Sequence, residues 1–148
     1  MTAANRNVIL LVEDSPADEE LIRIALEENR ITNSVDVARD GQEALDYLFG
    51  TGEHAGRDTS LLPTVVLLDL HLPKVEGLEV LRRLRSDERT KLLPVVILTT
   101  SDEQRDRVTG YDLGANSFVQ KPVDFGQFNA AVKQLGLYWL LLNKPAAV

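Results

Sequence analysis

Three short runs of consecutive apolar residues, VILLV (8–12), VVLL (65–68) and PVVIL (94–98), constrain this chain more than any other feature. Each is too short for a buried helix and shows no alternation. That pattern predicts strands covered on both faces, the kind found in parallel sheets. Two weaker segments, SVDVA (34–38) and SFVQ (117–120), read as the remaining strands. Helical patterns separate the five. SPADEELIRIALEEN offers Ser15 as N-cap, Pro16 at the first helical position and acids in the first turn. GQEALDYLFG is a short second helix, and GLEVLRRLRS a third with Leu78, Leu81 and Leu84 at helical spacing. DEQRDRVTGYDLG is a polar fourth helix. The last, DFGQFNAAVKQLGLYWLLL, sets Phe125, Phe128, Val132 and Leu135 on one face.

Regular alternation of strand and helix predicts an α/β fold: a doubly wound, flavodoxin-like, five-stranded parallel sheet of order 2-1-3-4-5, with five helices distributed over both faces. One domain is expected over residues 8–137, between a tail (1–7) and a C-terminal extension (138–148). The one long connection, GTGEHAGRDTSLLP (50–63), sits at the upper end of loop lengths, which marks it as functional or mobile.

The formal net charge of −7 disfavours electrostatic binding to nucleic acid, so no direct DNA contact is expected. With no cysteine there is no disulfide, thiolate metal site or thiol nucleophile. MTAANRN lacks a signal-like apolar segment, and LGLYWLLL (135–142) is far short of the ~20 residues that span a bilayer, so a cytoplasmic protein is expected, with no membrane contact. Neither G-x-G-x-x-G nor a P-loop motif occurs.

Ligands of doubly wound sheets bind at the carboxyl ends of the strands. Here strand one runs into Glu13-Asp14, strand three into Asp69, strand four into Thr99-Thr100, and strand five into Lys121-Pro122. In the order 2-1-3-4-5 these ends are neighbours. Three acids, a hydroxyl and a lysine then share one cleft. Clustered carboxylates repel, and a hard divalent cation with oxygen ligands, best Mg²⁺, relieves the repulsion. An aspartate beside such an ion can accept a phosphoryl group, with the lysine and hydroxyl as its partners.

Read in order, Glu13/Asp14, Asp69, Thr99, Phe118 and Lys121-Pro122, with LPKVEG after Asp69, resemble the receiver domains of two-component response regulators. The resemblance covers roughly residues 8–137. It implies Asp69 as phosphoacceptor from a sensor histidine kinase. It implies Mg²⁺ on Asp14, Asp69 and the backbone carbonyl of His71, with Glu13 acting through a metal-bound water. It makes Thr99 and Lys121 phosphoryl partners, Thr99 and Phe118 the switch pair, and Lys121-Pro122 a cis peptide. Such a domain is not a conventional enzyme, although it catalyses its own Mg²⁺-dependent phosphorylation and dephosphorylation. The long loop and aromatic tail also look like the single-domain regulators that serve bacterial phytochrome kinases.

Glu13 stands where the family more often has Asp. Thr100 occupies a position usually held by a very small residue. His71 and Ser101 flank the path of attacking water, so the phosphoryl lifetime is not inherited from the resemblance. His54 is expected to be simply solvated. A haloacid-dehalogenase-type phosphatase would need an acid two residues after the nucleophile, and His71 stands there instead. The eleven residues after Leu137 are too few for a helix-turn-helix domain, so output is expected through protein contacts, including a downstream phosphotransfer or output protein. In the tail, Leu137 to Leu142 cannot all face one core, because consecutive helical residues point in every direction. That predicts a homodimer through the fourth and fifth helices, the fifth strand and the tail.

Overall fold

The computed structural model describes residues 8–99, 104–120, 129, 130 and 133. Its strands are β1 (Val8–Val12), β2 (Ser34–Ala38), β3 (Val65–Leu68), β4 (Val95–Thr99) and β5 (Ser117–Gln120). Its helices are α1 (Pro16–Glu28), α2 (Gly41–Phe49), α3 (Gly77–Arg85) and α4 (Gln104–Asp112). The strands form one parallel sheet in the order β2-β1-β3-β4-β5, as the alternation predicts. A fifth helix is represented by Asn129, Ala130 and Lys133. Its expected core face (Phe125, Phe128, Val132, Leu135) and the 138–148 extension lie outside the described residues.

Side-chain alternation splits the core into two layers. Leu10, Val12, Val66, Leu68, Val95 and Ile97 pack with Ala44, Leu45 and Leu48 of α2 and Val80, Leu81 and Leu84 of α3. Ile9, Leu11, Val65, Leu67, Val96 and Leu98 pack with Ile22, Ala25 and Leu26 of α1. The two sets are the opposite sides of the same strands, so β1, β3 and residues 95–98 of β4 are buried throughout, and this explains the unbroken apolar runs. The edge strand β2 instead alternates between exposed and partly buried residues until Ala38. Asn29 Nδ2 donates to Asn129 Oδ1 at 2.8 Å, which ties the end of α1 to the fifth helix.

Local chemistry sets the boundaries. Ser15 Oγ accepts from the Asp18 amide at 3.2 Å, and Pro16 opens α1. Asp40 caps α2 through the Glu43 amide at 2.7 Å, and Gly50, at φ 68°, ends it in the left-handed region. β4 begins one residue later than the apolar run, at Val95, and extends to Thr99; Pro94 has no N–H for the ladder. α4 stops at Asp112, short of the Gly114 expected from the sequence, because Gly114 turns the chain at φ 96°.

The long connection is anchored. It opens with a single 3₁₀ turn (Gly52–His54). Arg57 lies 3.9 Å from the Tyr47 ring centroid and donates to the carbonyls of Tyr47 (2.8 Å) and Leu61 (2.5 Å). His54 is not simply solvated: its ring meets Tyr47 edge-on at 5.4 Å, and its Nε2 is 3.5 Å from the Glu43 carboxylate. Tyr47 also donates to Asp36 at 2.6 Å, and burial with that bond pushes its phenol above the usual range.

Candidate metal and phosphoryl site

Strand register builds the site. Val12 pairs with Leu68, so Glu13 and Asp69 leave the sheet side by side. The Asp69 amide still donates to the Val12 carbonyl at 3.1 Å, and the Glu13 amide to Ala38 at 2.9 Å. Both residues are therefore held by the sheet although they lie past its strands. β4 reaches Thr99, whose backbone pairs with Gln120, so β4 and β5 end level at the same sheet edge.

Carboxylate oxygens of Glu13, Asp14 and Asp69 all lie within 4.8 Å of one another. Glu13 is 1% exposed and Asp69 7%, whereas Asp14 is exposed. A solvated helix start would not bury Glu13. One Glu13 oxygen accepts from the Ser15 amide at 3.2 Å, and Asp69 Oδ1 from the His71 amide at 3.3 Å. The set is all oxygen, anionic and open on the Asp14 side. It fits a hard divalent cation that keeps some of its water.

His71 is exposed, and its amide folds back toward Asp69. The backbone of Thr99 and Phe118 lies on adjacent strands of the sheet; nothing further is described for these side chains. Thr100, Ser101, Lys121 and Pro122 lie outside the described residues, and with them the expected cis peptide; the described peptide bonds are all trans.

Sequence reasoning missed the packing that holds the 70–76 loop. A Cβ on Gly77 would fall 2.7 Å from Leu70 Cα, and closer still to the Asp69 carbonyl oxygen. A Cβ on Gly41 would fall 2.7 Å from the Val75 carbonyl carbon. The loop is thus wedged between the first residues of α2 and α3. LPKVEG carried half of this signal, in its glycine; Gly41 carried none beyond standing next to a helix cap.

An acid cluster at the carboxyl edge of a 2-1-3-4-5 parallel sheet, with a glycine-held loop behind its central aspartate, is the architecture of a receiver domain. The chain belongs to the response regulator receiver domain family, whose pattern matches residues 9–133. Among curated relatives, the probable methanogenesis regulatory protein FilR2 of Methanothrix harundinacea is 43% identical over 93% of this chain and 86% of its own. Response regulator Rcp1 of Synechocystis sp. is 37% identical over 95% of this chain and 94% of its own. Among solved structures, the phosphorylated cyanobacterial phytochrome response regulator RcpA is 38% identical with a TM-score of 0.87, covering 96% of this chain and 99% of that one. The bacteriophytochrome response regulator AtBRR is 53% identical with a TM-score of 0.74, covering 93% and 98%. Rcp1 has also been solved in a Mn²⁺-bound form, 35% identical with a TM-score of 0.86, covering 95% and 99%. Among the described residues no helix is long and apolar enough to cross a membrane.

Proposed function

We propose that this receiver accepts a phosphoryl group on Asp69 from the phosphohistidine of a sensor kinase, in the presence of Mg²⁺, and changes its protein-contact surface as a result. The observation that carries this reading is the close triad of buried Glu13, buried Asp69 and exposed Asp14 at the sheet edge. A carboxylate oxygen of Asp69 forms the new bond to phosphorus, the phosphorus–nitrogen bond of the donor breaks, and the imidazole leaves. Asp14, Asp69 and the His71 backbone carbonyl would hold Mg²⁺, with Glu13 on a metal-bound water. When bound, the ion neutralises charge on the transferring phosphoryl oxygens. Glu13 and Asp69 are held by backbone bonds of the sheet, so their carboxyl groups need little reorganisation.

Thr99 and Lys121 are the proposed partners of the attached phosphoryl group, and Phe118 follows Thr99 inward as the switch. Phosphorylation adds about −1.5 to −2 charges at that edge, enough to bias a pre-existing equilibrium. The likeness to the phytochrome response regulator RcpA and the bacteriophytochrome response regulator AtBRR supports a phytochrome kinase as donor. FilR2, matched over 93% of this chain, is named as a probable methanogenesis regulatory protein, so the choice of kinase rests on the structural relatives. Homodimerisation through the fourth and fifth helices, β5 and the C-terminal tail is supported by the exposed Val108 (51%) and Tyr111 (50%) at i, i+3 on α4 and by the apolar Leu137–Leu142 run of the sequence. Sedimentation of wild type against Trp139→Ala tests it; a micromolar monomer with and without phosphoryl mimic refutes it.

The main test is incubation with Mg²⁺ and a small acyl phosphate, read by intact mass. Wild type gains one phosphoryl group. Asp69→Asn gains none, and Asp14→Asn is impaired. A mass gain that persists in Asp69→Asn sinks the assignment.

A further inference from the structure

The 70–76 loop follows Asp69 and carries the His71 carbonyl. Leu70 and Leu72 bury their side chains and Val75 packs partly on the core, whereas Pro73, Lys74 and Glu76 are exposed. The loop closes on a γ-turn. The Val75 amide donates to the Pro73 carbonyl at 2.8 Å across Lys74, which sits at φ 68°. A side-chain-bearing residue in that region is strained and persists only where its surroundings over-determine it. The restraints come from the start of α2. The Gly41 amide, one of the helix-end donors without an intrahelical partner, reaches the Pro73 carbonyl at 3.3 Å. The Asp40 carboxylate stands 3.6 Å from Lys74 Nζ. Gly41 also presents no side chain where one would run into the Val75 backbone.

We infer that Gly41 is a positioning residue for the metal and phosphoryl site, because the first turn of α2 braces the γ-turn and thereby fixes the loop that holds Asp69 and the His71 carbonyl. The inference rests on the reading of Asp69 and His71 as metal ligands. Val75 meets the hypothetical Cβ with its carbonyl as well as its own Cβ, so trimming the Val75 side chain would not make room. A methyl at position 41 therefore has to shift the loop or tilt α2.

The test compares wild type, Gly41→Ala and Leu48→Ala. Leu48 is a buried core residue of the same helix, seven positions on from Gly41. Mg²⁺ affinity is measured by calorimetry and global stability by urea unfolding. Loss of a supporting contact typically weakens metal binding by about 10–100-fold. Gly41→Ala is expected to raise the Mg²⁺ dissociation constant by about tenfold or more. Leu48→Ala is expected to lower stability and leave that constant within about twofold. In parallel, Mg²⁺ added to wild type should shift the Gly41 and His71 amide resonances with one common dissociation constant, a readout that needs no variant. Wild-type affinity in folded Gly41→Ala, or a Gly41 amide that stays still while His71 moves, overturns the inference alone. Absence of any Mg²⁺ binding by wild type overturns the metal reading and this inference with it.

Discussion

Removing one charge from the acid triad should stabilise the metal-free domain and abolish its response to Mg²⁺. Carboxylate oxygens of Glu13, Asp14 and Asp69 lie within 4.8 Å of one another. Two unit charges at that distance repel by about 3 kcal/mol at an effective dielectric constant of about 20. Solvent screens the exposed Asp14, and Glu13 and Asp69 have further partners, so only part of this is recovered. Asp69→Asn keeps the Oδ1 acceptor for the His71 amide and nearly the same volume. The expected gain is about 1–2 kcal/mol in chelator. Asp14→Asn should gain less, being exposed. Mg²⁺ at 100 times its dissociation constant should then stabilise wild type by about 2.7 kcal/mol, and Asp69→Asn by much less. Urea unfolding with chelator and with Mg²⁺ reads both effects, and the order of stabilities should reverse between them. If Asp69→Asn is less stable than wild type in chelator, and neither protein responds to Mg²⁺, the triad is not a repulsive metal site.

Two further outcomes follow from particular contacts. Gly77→Ala needs at least 0.7 Å of movement to bring the 2.7 Å approach to Leu70 Cα up to an ordinary 3.4 Å. Overpacking of this kind costs about 1–3 kcal/mol, offset by up to about 1 kcal/mol of helix propensity. Because the loop moves beside the reacting carboxylate, phosphorylation by an acyl phosphate should slow by about 10–100-fold, read by timed mass spectrometry; a wild-type rate would contradict the packing. On α3, hydrogen bonds from Arg82 and then Arg83 hold the Glu79 carboxyl down at about 2. A depressed carboxyl contributes stability above its unfolded value of 4.5, and this is lost as pH falls toward 2. The urea midpoint difference between wild type and Glu79→Gln should therefore shrink across that window, and a difference independent of pH would refute the pairing.

The fold was legible because each central strand is one apolar run, and burial on both faces leaves no other reading of VILLV or VVLL. Asp69 and Glu13 were legible for a related reason, since a carboxylate directly after such a run must sit at a sheet edge. The different exposure of Glu13 and Asp14 was not, because it depends on the direction of chain exit from β1. Gly41 and Lys74 were hidden because their roles lie in a contact between α2 and the 70–76 loop, far apart in sequence. His54 looked isolated for the same reason: Glu43 and Tyr47 meet it only after α2 turns back at Gly50.

The central claim is that Asp69 carries the phosphoryl group. After phosphorylation with Mg²⁺ and an acyl phosphate, borohydride reduces an aspartyl phosphate to homoserine, and peptide mapping locates the change. Homoserine at position 69, absent without Mg²⁺ and absent in Asp69→Asn, is the predicted result. Homoserine at position 14 or elsewhere, or its absence from a chain whose mass shows a phosphoryl group, would contradict the account.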